Sequence, residues 1–291
     1  MSKNVYLTTT EPFAGKITVV LGMMALLERG ARRIGYFRPI ARTSNKDKTD
    51  PNIHLISEVY GLKDTKEMMY GVTTDRVEKL ISSRLYDELL EEILDRYKAY
   101  EATCDFVLIE GTNFEGITSA FEFDLNADIA RNLGAPVILI ASGRGKTPDE
   151  IVSTVMITKE GLDERGCEHI STIVNRVNKE GFEESLEILT RKFKEHGIHF
   201  DGAIPEEEVL AHPRMDEIVE ALDAKVLYGE KYLDNLVGGF RVAAMSVGNI
   251  LERLGPAALI ITSGDRIDVL LGIVASQLST RMPYVAGILL A

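Results

Sequence analysis

The sequence predicts an α/β protein: a doubly wound parallel sheet, followed by a smaller α/β domain. Short runs of consecutive apolar residues alternate along the chain with longer segments whose apolar residues recur at helical spacing. Continuous apolar runs are typical of parallel strands that are covered on both faces. Strands that alternate with helices connect in parallel and place helices on both sides of the sheet.

The first domain is expected to span residues 1–212. Strands are predicted at residues 5–7, 32–39, 106–109, 136–141, 170–177 and 200–205. Helices are predicted at residues 17–27, from 51 onward, and at 77–100, 124–133, 148–162 and 183–195. Pro51 suits the first turn of a helix, and the long segment 77–100 carries one apolar face.

The second domain is expected to span residues 213–291, after an acidic helical connection. Strands are predicted at residues 240–246, 257–262 and 284–290, and helices at 247–254 and 267–278. The last of these helices is apolar nearly all round, which predicts burial on two sides.

The composition argues for a cytoplasmic globular protein. The chain has 291 residues, of which 45% are hydrophobic and 27% charged, and its net charge is −12. This charge argues against sequence-independent binding to nucleic acid or to an anionic membrane. The sequence shows no signal peptide, no apolar run that could span a bilayer, and two cysteines without metal-type spacing.

Residues 5–18 have the outline of a phosphate-binding loop, because an apolar strand leads through a polar turn to Gly15, Lys16 and a helix. In such a loop, backbone N–H groups and the helix end hold phosphate oxygens, and the lysine adds a point charge. The pattern G-x-x-x-x-G-K-[ST] is half met: Thr10 replaces the first glycine, and Ile17 replaces the hydroxyl that would bind Mg²⁺. An ordinary βα turn with a solvated lysine is the alternative.

Polar residues also follow two other predicted strands at the same sheet edge. Glu110 ends one strand and Asn175 lies near the end of another, and ligands of open α/β sheets bind at this edge. A carboxylate there suits Mg²⁺ beside phosphate oxygens, and an amide suits the edge of a purine ring. As alternatives, Glu110 is a helix cap or surface acid and Asn175 a turn residue.

At these residues the sequence resembles the dethiobiotin synthetase-like branch of P-loop proteins. The loop of that branch, Thr-Asp-Thr-x-x-Gly-Lys-Thr, corresponds to Thr10-Glu11-Pro12-Phe13-Ala14-Gly15-Lys16-Ile17. Three shorter motifs of the branch correspond to Arg38-Pro39, Glu110-Gly111 and Asn175-Arg176. In the synthetase, a lysine at the position of Arg38 serves the substrate chemistry, whereas arginine stays protonated and implies only an anion clamp.

A closer resemblance is to the amino-terminal region of long-form bacterial phosphate acetyltransferases. It rests on Leu7-Thr8-Thr9-Thr10-Glu11-Pro12, on Gly35-Tyr36-Phe37-Arg38-Pro39-Ile40, and on Thr262-Ser263-Gly264-Asp265-Arg266, the core of a DRTGG-like domain. The resemblance implies a regulatory and assembly part of a longer enzyme, whose partner is a carboxyl-terminal phosphotransacetylase domain that carries acetyl transfer. It also implies that the DRTGG-like domain is clipped at its carboxyl end. The apolar helix 267–278 needs cover on two faces, which predicts a homo-oligomer formed through this domain, with packing inside the domain as the alternative.

The resemblance implies that ATP, ADP, another nucleotide or an anionic effector binds this chain. The binding residues it implies are Thr10, Glu11, Gly15, Lys16, Thr18, Arg38, Asn175 and Arg176. Asp50, in the polar loop 42–50, and Glu110 are the predicted metal ligands, but the case for Mg²⁺ is weakened by Ile17. No catalytic residue is predicted. Two alternatives stay open: an ATP- and Mg²⁺-dependent ligase or carboxylase of the synthetase type, and a pair of structural spacers whose site has decayed.

Overall fold

The chain forms two compact units, Met1–Glu206 and Glu207–Ala291. The computed structural model describes residues 3–30, 33–42, 49–112 and 119–291, so that residues 43–48 of the predicted polar loop lie outside the described residues. Each unit has its own sheet, and among the described residues the first unit has one buried apolar cluster and the second has two. The boundary between the units falls after Glu206, whereas the sequence analysis placed it after residue 212.

The first unit is built on a seven-stranded sheet in which all paired strands are parallel. The strands are β1 Asn4–Thr9, β2 Ile34–Ala41, β3 Tyr70–Thr73, β4 Phe106–Glu110, β5 Val137–Ser142, β6 His169–Val177 and β7 Phe200–Pro205. The helices are α1 Lys16–Leu27, α2 Pro51–Tyr60, α3 Thr74–Ser82, α4 Tyr86–Glu101, α5 Ser119–Asn132, α6 Pro148–Glu164 and α7 Phe182–Glu195. The predicted fold class is confirmed.

The strand order is β3-β2-β4-β1-β5-β6-β7, which makes the sheet doubly wound. The chain starts in the middle at β1, builds β2 and β3 on one side, returns at β4, and then adds β5 to β7 on the other side. Leu7 of β1 pairs with Glu110 of β4, and Thr9 pairs with Ile140 of β5. The carboxyl ends of β1, β4 and β5 therefore lie side by side, where such sheets bind ligands.

Two parts of the predicted element order are wrong. The strand β3 was not predicted; it has only four residues, and a side chain on its Gly71 would come within 2.6 Å of the Pro39 carbonyl oxygen. The predicted helix 77–100 is two helices, because Arg84 between them has a φ of 61°. A right-handed helix does not continue through such a residue.

The second unit contains a three-stranded parallel sheet in the order β10-β9-β8. Its elements are α8 Met215–Ala221, β8 Gly239–Val242, α9 Val247–Glu252, β9 Ala258–Thr262, α10 Ile267–Ser276 and β10 Val285–Leu290. The predicted burial of the last helix on two sides is wrong for the single chain. Val269 and Ile273 are buried in the core, but Leu271 is 66% exposed and Leu278, just beyond the helix, is 87% exposed.

Candidate functional site

The loop between β1 and α1 is a tight turn anchored on the sheet. The Thr10 N–H donates to the Ile140 carbonyl over 3.0 Å, which ties the start of the loop to β5. Phe13 and Gly15 have φ values of 60° and 76°, both in the left-handed region. Helix α1 begins at Lys16, directly after Gly15. Glycine has no side chain, so the residue at the N-cap position does not accept a hydrogen bond from the first N–H groups of the helix.

Two side chains from the end of β6 hold the carbonyl groups of this loop. Asn175 Nδ2 donates to the carbonyl oxygens of Ala14, at 2.8 Å, and Gly15, at 3.1 Å. Arg176 Nη1 donates to the Phe13 carbonyl over 2.8 Å. Asn175 and Arg176 therefore fix the direction of three carbonyl groups of the loop.

Lys16 is buried at the carboxyl end of β4, so the alternative of a solvated lysine is wrong. The residue is 5% exposed, and its Nζ donates to the Gly111 carbonyl. Burial lowers the pKa of Lys16 from 10.5 to about 8, against the opposing effect of Glu110. The lysine is therefore still mostly charged at neutral pH.

An asparagine that the sequence analysis missed holds the segment that Lys16 contacts. Asn126 of α5 accepts a hydrogen bond from the Thr112 N–H at 2.8 Å and another from the Tyr6 hydroxyl at 2.7 Å. A side chain on Gly111 would lie 2.5 Å from Asn126 Oδ1. No local pattern marks Asn126, because its partners are far away in the sequence.

Arg38 and Asp50 form a buried ion pair beside this cluster. Arg38 Nη1 lies 2.5 Å from Asp50 Oδ2, and the two residues are 3% and 2% exposed. Burial opposes the charge on Arg38, but Glu110 and Asp50 outweigh burial and raise the pKa of Arg38 above its ordinary value. Asp50 is also the N-cap of α2, and its carboxylate accepts from the backbone N–H groups of Arg42 (2.7 Å), Asn52 (2.9 Å) and Ile53 (3.2 Å).

Glu110 completes the buried charged group at this sheet edge. It accepts hydrogen bonds from the Tyr36 hydroxyl and from Asn52 Nδ2, which lies 3.0 Å from Oε1. Asn52 therefore bridges Glu110 to Asp50, through its side chain and its backbone N–H respectively. Neither Tyr36 nor Asn52 was predicted from the sequence as a residue of the site.

The predicted metal ligands have protein partners in this structure. Both carboxylate oxygens of Asp50 are occupied by N–H donors, and Ile17 packs against the hydrophobic core. In the part of the chain that the structure describes, no group of three or more His, Cys, Asp or Glu side chains could hold a metal ion. Mg²⁺ prefers octahedral oxygen ligands, and here the predicted ligands serve as a helix cap and as hydrogen-bond acceptors.

Three charged side chains outside the predicted set, Arg144, Lys146 and Glu206, form ion pairs beside the loop. Glu11 forms an ion pair with Lys146. Arg176 Nη2 and Arg144 Nε lie 2.9 and 3.1 Å from Glu206 Oε1. Arg144 and Lys146 follow β5 in a glycine-rich basic stretch. Because the carboxyl end of β5 lies at the ligand-binding edge, their position in the sequence could have marked them as site residues.

The predicted residues therefore fall into two groups. Lys16, Arg38, Asp50 and Glu110 lie in one buried charged cluster at the carboxyl ends of β1, β2 and β4. The others form or contact the loop: Thr10, Glu11, Gly15, Thr18, Asn175 and Arg176. Thr18 is half-buried and donates its N–H to Gly15. The Thr10 hydroxyl is buried and has no hydrogen-bond partner among the described residues.

A doubly wound parallel sheet with a Gly-Lys turn between its first strand and first helix defines a protein of the P-loop class. The chain belongs to the family described as an AAA domain, which residues 3–214 match, and residues 217–291 match the DRTGG domain. This order of domains is the one that the sequence resemblance implied.

The chain is similar over its whole length to phosphate acetyltransferases. It is 41% identical over 292 residues to the enzyme of Nitratidesulfovibrio vulgaris and 36% identical over 291 residues to that of Synechocystis sp.; each match covers 100% of this chain and 42% of the relative. A GTPase of Pyrococcus abyssi in its apo form has 18% identity and a TM-score of 0.38, over 67% of this chain and 71% of the GTPase. The chain thus spans less than half the length of these phosphate acetyltransferases and matches their amino-terminal part.

No helix in the described part of the chain is both long enough and apolar enough to cross a membrane.

Proposed function

We propose that the chain is the regulatory and assembly part of a phosphate acetyltransferase, and that its first unit binds a nucleotide or another phosphate-bearing effector. The relatives' name supports the parent reaction, the transfer of an acetyl group between coenzyme A and phosphate. That reaction belongs in this proposal to a carboxyl-terminal domain that partners with this chain.

The observation that carries the effector site is the position of Lys16. Its buried ammonium lies at the start of α1, beside a loop whose carbonyls are bonded to Asn175 and Arg176. A helix N-terminus, backbone N–H groups of the loop and a lysine are the parts that bind phosphate oxygens in P-loop proteins. Arg38 adds a second buried cation to the same cluster.

The side chains favour a site that binds its ligand without turning it over. Ile17 contributes no hydroxyl for Mg²⁺, and Asp50 is committed to Arg38 and to the cap of α2. A ligase of the synthetase type needs Mg²⁺ between phosphate oxygens and protein carboxylates. These residues therefore support an effector site over the enzyme.

The second unit is proposed to join copies of the chain. The apolar residues Leu271 and Val274 on the outer face of α10 are 66% and 59% exposed, and large exposed apolar patches mark interaction sites. Analytical ultracentrifugation of the chain, with Leu271→Glu as the disrupting variant, tests this part of the proposal. A monomer at all concentrations would contradict it.

Calorimetric titration tests the effector site. ATP, ADP and NADH are each titrated with and without Mg²⁺, alongside a phosphate-release assay. Lys16→Met is the main variant, because methionine keeps the length of the side chain and removes its charge. Lys194→Met, at an exposed position of α7, is the matched control.

The expected result is binding without phosphate release, lost in Lys16→Met and kept in Lys194→Met. Turnover that depends on Mg²⁺ would restore the synthetase-type enzyme. Absence of binding for all three ligands would favour structural spacers.

A further inference from the structure

Two arginines, Arg176 at the end of β6 and Arg144 in the loop after β5, converge on one carboxylate oxygen beside the phosphate loop. Glu206 Oε1 accepts hydrogen bonds from Arg176 Nε at 3.3 Å and from Arg176 Nη2 at 2.9 Å. Arg144 Nε forms an ion pair with the same oxygen at 3.1 Å. The remaining arm of Arg176, Nη1, donates to the carbonyl of Phe13 in the loop. Guanidinium groups around one oxyanion are an arrangement by which proteins also bind phosphate.

The backbone at this point is strained. Arg176 has a φ of 62°, a conformation that costs free energy in a residue other than glycine and that is often kept at functional sites. The ion pairs are partly solvated, since the side chains of Arg144, Arg176 and Glu206 are 60%, 17% and 22% exposed. Solvated ion pairs stabilise a fold little, so these contacts alone do not account for the strain.

We propose that Arg144 and Arg176 form an anion subsite for phosphate oxygens of a ligand bound at the loop, and that Glu206 occupies this subsite when no ligand is bound. The inference rests on the proposed effector function and names its regulation. A phosphate oxygen binds the two guanidinium groups in place of the carboxylate, so ligand and Glu206 compete.

The position of Glu206 in the chain turns this competition into a signal. Glu206 is the last residue of the first unit, and Glu207 begins the second. Apart from the two arginines, the Glu206 backbone N–H donates to the Val177 carbonyl over 2.8 Å. Displacement of its side chain removes the ion pairs at the start of the connection, so ligand binding and the mobility of the connection are coupled.

Titration of the 291-residue chain with ATP tests the competition. Glu206→Gln keeps the shape of the side chain and removes its charge, so we expect the Kd for ATP to fall about twofold to fivefold, as for the loss of a partly solvated ion pair. Arg144→Gln is expected to raise the Kd. In the double variant with Arg144→Gln, the gain from Glu206→Gln is expected to shrink. Glu208→Gln, at an exposed position, is the control and leaves the Kd unchanged.

Each outcome supports or overturns the proposal. If Glu206 were only a structural ion-pair partner, Glu206→Gln would lower the melting temperature and leave the Kd as it is, which overturns this inference but not the effector site. If the Glu206→Gln variant bound ATP and the parent chain did not, the result would support this inference. Absence of binding in both chains would overturn the proposed function as well.

Hydrogen exchange gives a second readout. We expect ATP to speed amide exchange in residues 207–214 of the parent chain, and exchange there to be fast in Glu206→Gln without ATP. Unchanged exchange in both would overturn the coupling.

Discussion

Asn175 and Gly15 are in such close contact that only glycine fits at the end of the phosphate loop. Asn175 Nδ2 lies 3.1 Å from the Gly15 carbonyl oxygen, and it would lie 2.5 Å from a Cβ built on Gly15. The φ of Gly15, 76°, adds a conformation that other residues adopt at a cost. One amide thus sets the carbonyl direction of the loop and the identity of the residue before Lys16.

Gly15→Ala is expected to destabilise the first unit by about 1–3 kcal/mol, because the new methyl group combines a backbone penalty with a steric clash. Urea unfolding measures this change. Gly22→Ala is the control, because Gly22 lies at an exposed position of α1 with no atom within 4 Å of the new Cβ. This substitution is expected to stabilise the chain by about 0.5–1 kcal/mol. Equal effects of the two substitutions would contradict the proposed contact.

Anion binding at the loop is expected to weaken as the pH rises through the pKa of Lys16. Burial lowers that pKa from 10.5 to about 8, so about a tenth of the ammonium stays charged at pH 9. The Kd for ATP is expected to rise by up to about tenfold between pH 7 and pH 9. Calorimetry across this range measures it, and Lys16→Met removes the dependence. A flat profile in the parent chain would argue against a role for the lysine charge.

The lowered pKa of Lys16 also makes the stability of the folded chain depend on pH. The unfolded chain binds the Lys16 proton more tightly than the folded chain, so the contribution of Lys16 to stability rises between pH 8 and pH 10.5. Comparison of urea unfolding of the parent chain and Lys16→Met in this window isolates it. A contribution that falls with pH would mean that the lysine is not desolvated.

Asp50→Ala is expected to cost about 3–5 kcal/mol of unfolding free energy, because it leaves the buried Arg38 without its partner and removes the cap of α2. Glu195→Ala, which breaks the exposed pair with Arg191, is the control at about 0.5 kcal/mol or less. Urea unfolding measures both. A small effect of Asp50→Ala would show that the pair is solvated.

Removal of Mg²⁺ is expected to leave the Kd for ATP within about twofold, since Asp50 is saturated by N–H donors and Ile17 lies against the core. Titrations in EDTA and in excess Mg²⁺ provide the measurement. Binding that requires Mg²⁺ would return Asp50 and Glu110 to the role of metal ligands.

Two neighbouring hydroxyls in β6 offer a matched pair. Ser171 Oγ is buried with no hydrogen-bond partner among the described residues, whereas Thr172 Oγ1 lies 3.1 Å from His169 Nε2. Ser171→Ala is expected to be neutral or stabilising, and Thr172→Val to cost about 1–2 kcal/mol. Thermal unfolding of both variants distinguishes them. If Ser171→Ala lowered the stability more than Thr172→Val, the Ser171 hydroxyl and not the Thr172 hydroxyl would be the one with a hydrogen-bond partner.

Local patterns were sufficient for most of the fold. Apolar runs at β1, β4 and β5 and helical spacing in α4 and α6 are properties of neighbouring residues, and they survive in the structure because each element packs through those same faces. The pattern failed at β3, which is too short to show a period, and at Arg84, where a positive φ interrupts an unbroken apolar repeat.

By itself, the sequence determined the class of sheet, the edge at which polar groups meet, and the Gly-Lys turn, because these follow from the order of elements along the chain. Only the tertiary structure decided what the side chains do there. Asn175 and Gly15 are 160 residues apart in sequence, and their contact exists because β6 follows β5 beside β1. In the same way, Asp50 pairs with Arg38, because burial of a carboxylate at this edge requires a partner and the guanidinium is within reach.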